Sequence, residues 1–206
     1  MVTYENALEK RGLLIVLSGP SGVGKNSIID ALRLEDPRRY HSVSMTTRQP
    51  RKGEIDGQSY HFTSKAHFES LIEAGEILEY DSYCEEYYGT PRAPVDQMTA
   101  DNIDILLDLT VKGALELKKN CPNAVIIFIT ASTEGALRER LLSRATETPE
   151  AIEKRLKTAR KELEEIHRFD YWVINDHIAH AAADVSAIIR AEKRRTSRFF
   201  VDECKL

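Results

Sequence analysis

The sequence predicts an α/β fold, a parallel sheet core flanked by helices and interrupted by a small α+β insertion. Three observations carry this. Short continuous apolar runs recur as "GLLIVLSG" (12–19), "IDILLDL" (103–109) and "AVIIFITA" (124–131), with "YWVIND" (171–176) a weaker fourth, and such runs suit strands buried on both faces. Helical patterns lie between them, and strands that alternate with helices make a parallel sheet covered on both sides. From residue 42 to 92 that rhythm stops.

Each element has its own justification. "KNSIIDALRLE" follows a glycine-rich loop and reads as the first helix. "SVSMTTRQPRKGEIDGQSYHFTS" carries Pro50, Gly53 and Gly57 among alternating polar and apolar residues, the pattern of short antiparallel strands and turns. "KAHFESLIEAGEILEY" gives one short helix stopped by Gly75. "VKGALELKKN" and "STEGALRERLLSR" each follow a predicted strand, the latter with Ser132 or Thr133 as N-cap. "TPEAIEKRLKTARKELEEIHRF" (148–169) reads as a long charged helix capped by Thr148, with Pro149 at its first position.

Bulk properties narrow the function. A length of 206 residues suits one domain with a subdomain. A net charge of −4 excludes a protein that coats nucleic acid, which needs a basic field, so any anion must be held by a local cluster. "TTRQPRKG" (46–53) is one such cluster, whereas "RAEKRRTSR" near the C-terminus reads as a solvated helix end. Cys84, Cys121 and Cys204 are widely separated and match no metal-binding spacing, as expected of reduced thiols in the cytoplasm. The apolar run near the N-terminus is too short for a signal sequence or a membrane span, so no membrane partner is expected.

"GPSGVGKN" (19–26) joins the first predicted strand to the first helix and follows G-x-x-x-x-G-K, the pattern of a phosphate-binding loop. Its glycines let successive N–H groups point inward at a helix N-terminus, and Lys25 adds a charge that reaches the β- and γ-phosphates. The candidate nucleotide-binding residues are therefore Gly19, Pro20, Ser21, Gly22, Val23, Gly24, Lys25, Asn26 and Ser27. Asn26 stands where a hydroxyl normally ligates Mg2+; its amide oxygen can take that place directly or through a water. Nucleotide binding with an altered metal contact is expected.

Together with "TTRQPRKGEIDGQSYHF", "EYYGTPR", "RLLSRATET" and "VIND" in this order, the loop resembles guanylate kinases, over about residues 12–193. The resemblance implies a P-loop nucleoside monophosphate kinase fold in a single domain. Its core would comprise about 12–41, 93–143 and 168–195, with a GMP-binding insertion at 42–92 and a helical lid at 144–167. It further implies a cytoplasmic enzyme, monomer or homodimer, that transfers a phosphoryl group from ATP to GMP or dGMP with Mg2+. Ser44, Arg48, Arg51, Tyr60, Glu79, Tyr88 and Thr90 would form the GMP site. Guanidinium forks suit a phosphate monoester, Tyr60 and Tyr88 can donate to it, Glu79 can accept from guanine N1–H and the 2-amino group, and Ser44 and Thr90 can donate to O6. Arg140, Arg144 and Arg155 resemble lid arginines that close over the ATP phosphates, and with Lys25 and Arg48 they make the catalytic set. Charge of this density stabilises a metaphosphate-like transition state without an acid or base. Asn175 would lie near the adenine.

Three positions depart from the family pattern besides Asn26. Asp108 and Thr110 stand where two acidic residues are usual. Asp108 can still order Mg2+, so Asn26 and Asp108 are the candidate metal residues. Thr110 can accept from the guanine amine only as a neutral hydroxyl, a loss of about 1–2 kcal/mol or roughly tenfold in affinity. Lys112 replaces a common Gln, and Ala145 replaces a lid glycine. Two readings follow: an active guanylate kinase, or a catalytically impaired guanylate-kinase-like module that binds a nucleotide or a protein.

Overall fold

The computed structural model describes residues 12–83, 85–143 and 148–198. In chain order these hold β1 (Leu14–Ser18), α1 (Lys25–Glu35), β2 (Tyr40–His41), β3 (Met45–Thr46), β4 (His61–Phe62) and α2 (Lys65–Glu73). There follow β5 (Ile77–Tyr83), β6 (Glu86–Pro91), α3 (Arg92–Ala100), β7 (Ile105–Asp108), α4 (Val111–Asn120) and β8 (Val125–Thr130). The last elements are α5 (Glu134–Leu142), α6 (Pro149–Glu164), β9 (Tyr171–Ile174) and α7 (Ile178–Glu192), with short 3-10 turns at Ile166–Arg168 and Thr196–Arg198.

The core sheet runs β2-β7-β1-β8-β9, and every pairing in it is parallel. Ile15 and Leu17 of β1 join Ile127 and Ile129 of β8 on one face, against Ile28, Ile29 and Leu32 of α1 and Val185 and Ile189 of α7. Val16, Ile105, Leu107 and Ile126 face the other way, against Val95 of α3 and Ala114 and Leu117 of α4. Alternation inside an unbroken apolar run is what burial on both faces requires. Each such side chain contributes about 1.5–3 kcal/mol, which makes the sheet a rigid base. The strands end on the same side, and the glycine loop, Thr110 and Asn175 follow β1, β7 and β9 there.

The second sheet, β4-β3-β6-β5, lies within the insertion. It is mixed, correcting the wholly antiparallel expectation: β3 pairs parallel with β4 and antiparallel with β6. The long connection of residues 47–60 is the reason, because it carries the chain back to enter β4 in the direction of β3. Phe68 of α2 is fully buried and stacks on Tyr87 at 5.3 Å between centroids, fixing the helix to this sheet.

Two further readings change. The long helix ends at Glu164 and gives way to a 3-10 turn. The C-terminal basic run is not merely solvated: Lys193 pairs with Asp104 at 3.0 Å. Arg198 grips buried Glu192, which also accepts the Tyr171 hydroxyl at 2.6 Å. No described helix is long and apolar enough to cross a membrane.

Candidate active site

The glycine loop leaves β1 and delivers the chain into α1 with Gly24 as N-cap, in the left-handed conformation at φ 91°. No side chain caps this helix, so its first N–H groups are available to an anion. Glycine is required at position 24 for space as well, since a Cβ there would sit 2.6 Å from Asn175 Nδ2. Val23 is fully buried and anchors the loop from below, whereas Asn26 and Ser27 are exposed at the helix start.

Lys25 lies over the loop, its Nζ donating to the Gly19 carbonyl at 2.9 Å and standing 3.5 Å from Asp108 Oδ1 at the end of β7. Burial raises the Asp108 pKa, and the charge of Lys25 opposes that rise. The oxygens of Asp108 and Asn26 are hard donors of the kind Mg2+ prefers. No group of three or more acidic, His or Cys side chains that could hold a metal occurs among the described residues. A cation here would therefore take its remaining ligands from phosphate oxygens and water, as Mg2+ characteristically does.

Two residues have partners within the protein that the sequence did not indicate. Asn175 is buried, and its Nδ2 donates to the Val23 carbonyl at 2.7 Å, so it braces the phosphate loop. Its Oδ1 has no hydrogen-bond partner among the described residues. Arg140 donates to the carbonyls of Asn175 at 2.5 Å and Val23 at 3.4 Å, tying α5 to the same brace. Arg155 of α6 reaches the loop itself, with Nη1 3.4 Å from Ser21 Oγ. Salt bridges Arg138–Glu153 at 2.8 Å and Arg160–Glu134 at 2.7 Å hold α5 and α6 together. Arg144 and Ala145 lie outside the described residues.

On the insertion sheet, Arg48, Tyr60 and Tyr88 come together. The Arg48 guanidinium carbon is 5.3 Å from the Tyr60 ring centroid, and the Tyr60 and Tyr88 rings meet edge to face at 5.9 Å. Both terminal nitrogens of Arg48 donate to Glu54, each at 2.9 Å. Glu54 also accepts the Arg51 backbone N–H at 2.7 Å. Arg48 pulls the Glu54 carboxyl down to about 2. Arg51 is exposed beside this cluster. Glu54 escaped the sequence reading, although its place in "RKGE" inside a basic loop was the available signal.

Glu79 is buried on β5, and its Oε1 accepts the hydroxyl of buried Thr90 at 2.7 Å. Burial pushes its carboxyl up to about 7; the charge of Asp81 adds to the shift and the Thr90 hydrogen bond opposes it. Thr90 thus directs its single hydroxyl proton to Glu79. Ser44 precedes β3, its carbonyl accepting the His61 N–H at 2.9 Å. Thr110 caps α4, its Oγ1 accepting the Gly113 N–H at 3.1 Å.

A family profile described as guanylate kinase matches residues 11–192. The guanylate kinase of Thermus thermophilus is 45% identical over 188 residues, covering 91% of this chain and 85% of that protein. That of Desulfitobacterium hafniense is 43% identical over 190 residues, covering 92% and 95%. Among solved structures, guanylate kinase from Anaplasma phagocytophilum matches with a TM-score of 0.73 at 31% identity, covering 94% of this chain and 92% of its own. Profile, relatives and fold thus agree along nearly the whole length, and the chain belongs to the guanylate kinase family.

Proposed function

We propose that this enzyme transfers the γ-phosphoryl group of ATP to the phosphate of GMP, giving ADP and GDP, with Mg2+ as cofactor. The observation that carries this reading is the joining of two unlike sites at one end of the core sheet. One is a phosphate loop whose lysine is already held in place, with Nζ 2.9 Å from the Gly19 carbonyl. The other is a buried carboxylate, Glu79, near an arginine and tyrosine cluster on the insertion sheet. Asp81 of β5 bonds Lys112 of α4 at 2.6 Å, which seats the insertion against the end of β7.

In this reading the loop N–H groups and Lys25 bind the ATP phosphates, and Arg155 approaches them from α6. Asn26 and Asp108 are the residues that would hold Mg2+, which would supply positive charge to offset that of the phosphates. Arg48, Arg51, Tyr60 and Tyr88 hold the phosphate of GMP, and Glu79 accepts from the guanine edge. dGMP is proposed as a further substrate. The chain supplies position and positive charge, which phosphoryl transfer requires more than proton transfer. Asn175 and Arg140 act as positioning residues through Val23.

A coupled assay of ADP production with ATP, Mg2+ and each of GMP, dGMP, AMP and UMP tests the proposal. Turnover with GMP and dGMP, and a loss of about a hundredfold or more in Lys25→Ala, are expected. No ADP above background with GMP overturns it.

A further inference from the structure

Asp81 belongs to no phosphate or metal contact described above, yet it sits in the guanine end of the proposed site. Its Oδ1 accepts Lys112 Nζ at 2.6 Å, and its Oδ2 lies 3.4 Å from the Thr110 hydroxyl that donates to it. Two residues earlier on β5, Glu79 faces the same helix start: its Oε2 lies 2.8 Å from where a Cβ on Gly113 would stand, room that only glycine leaves. The start of α4 therefore faces two carboxylates side by side on β5, one buried and one tied to an exposed lysine.

A count of donors and acceptors gives this arrangement a purpose. The guanine edge presents N1–H and the two hydrogens of the 2-amino group. Glu79, with Oε1 engaged by Thr90, can take N1–H and the nearer amine hydrogen, which leaves the outer one without an acceptor. Thr110 directs its proton to Asp81 and one lone pair to the Gly113 N–H. The carboxylate of Asp81 retains a second lone pair on each oxygen.

Resting on the GMP reading, we propose that Asp81 is a specificity-determining residue of the guanine site, accepting the outer hydrogen of the 2-amino group together with Thr110. The negative charge that Thr110 lacks is supplied from the neighbouring strand. Lys112 fixes that carboxylate and offsets its repulsion of Glu79, whose pKa Asp81 raises. The pair also rejects adenine, which would turn its N1 lone pair toward two carboxylates.

Calorimetric titration with GMP and with inosine monophosphate, which lacks only the 2-amino group, tests this at a pH about one unit above 7, where Glu79 is ionised. Asp81→Ala is expected to weaken GMP about tenfold, the scale of one charge-assisted hydrogen bond, and inosine monophosphate by less than twofold. The near-isosteric Asp81→Asn should show the same split in smaller measure. Adding Thr110→Asp to Asp81→Ala should restore the preference for GMP. If both Asp81 variants weaken the two ligands alike, or neither ligand, the assignment is overturned. Turnover of GMP by the wild type, run in parallel, separates the two claims: its absence overturns the kinase reading, while the ratio of the two affinities still decides Asp81.

Discussion

GMP binding should be coupled to a proton through Glu79. Its carboxyl, pushed up to about 7 chiefly by burial, must be ionised to accept from guanine N1–H and the amine. With that pKa, about a tenth of the free enzyme is competent at pH 6 and about nine tenths at pH 8, so KM for GMP should fall about tenfold between them. The phosphate of GMP titrates with a pKa of about 6 and contributes its own slope. Glu79→Gln removes the carboxyl and leaves only the phosphate term, so the difference between the two pH series isolates Glu79. The free enzyme carries the same signature in its stability. The unfolded carboxyl titrates near 4.5 and the folded one near 7, so the folded state holds the extra proton between them. Its stabilising effect is complete below about 4.5 and is lost as the pH rises to about 7, a change on the order of 3 kcal/mol. Initial-rate series at saturating ATP and chemical denaturation across this range measure both. A KM that tracks that of Glu79→Gln at every pH, or a Glu79 carboxyl that titrates near 4.5 by NMR, refutes the reasoning.

Thr90→Val removes the hydrogen bond to Glu79 Oε1; KM for GMP should rise about tenfold, and the inflection in the pH series should move above that of the wild type. Gly24→Ala should raise KM for ATP at least tenfold while KM for GMP stays within twofold, because φ 91° costs a non-glycine residue about 1–2 kcal/mol and the new Cβ displaces Asn175 Nδ2; steady-state kinetics with each substrate varied in turn checks the split. Asn26→Ser should lower the Mg2+ concentration at half-maximal rate severalfold, read from ADP production in a metal titration, and an unchanged curve means that Asn26 makes no metal contact.

The sheet core was legible in the sequence because burial on both faces writes itself as unbroken apolar runs. Helix starts were legible where a cap is spelled out: Thr133 and Thr148 accept from Ala136 and Ala151 N–H at 3.1 and 3.3 Å. The segment Arg92–Ala100, by contrast, is helical with only a weak apolar stripe, Val95 alone being buried on the core. The parallel pairing of β3 with β4 depends on the path of a long loop, which local patterns do not encode. Site residues were legible as a cast and not as partnerships. Arg140 and Asn175 carry donors that suit a nucleotide equally well, and only the three-dimensional approach of β9 to the loop directs them to the Val23 carbonyl.

Partnership is the organising feature of the charges. Arg48 rests on Glu54 at 2.9 Å and Lys25 beside Asp108 at 3.5 Å. In the proposed reading each cation is thus oriented before a substrate arrives, and a carboxylate offers the kind of oxygen that a phosphate would later present. Preorientation saves much of the cost of ordering long side chains when the substrate binds, while competition from the carboxylate limits how tightly the phosphate is held. An enzyme that must release its products gains from that balance, since binding the ground state more tightly would not speed the transfer. Glu79 stands outside the scheme: it has a hydroxyl partner and no cation within bonding reach among the described residues. In the proposed reading its charge is left to be stabilised by the guanine edge itself, which would make recognition of the base and ionisation of the enzyme one event.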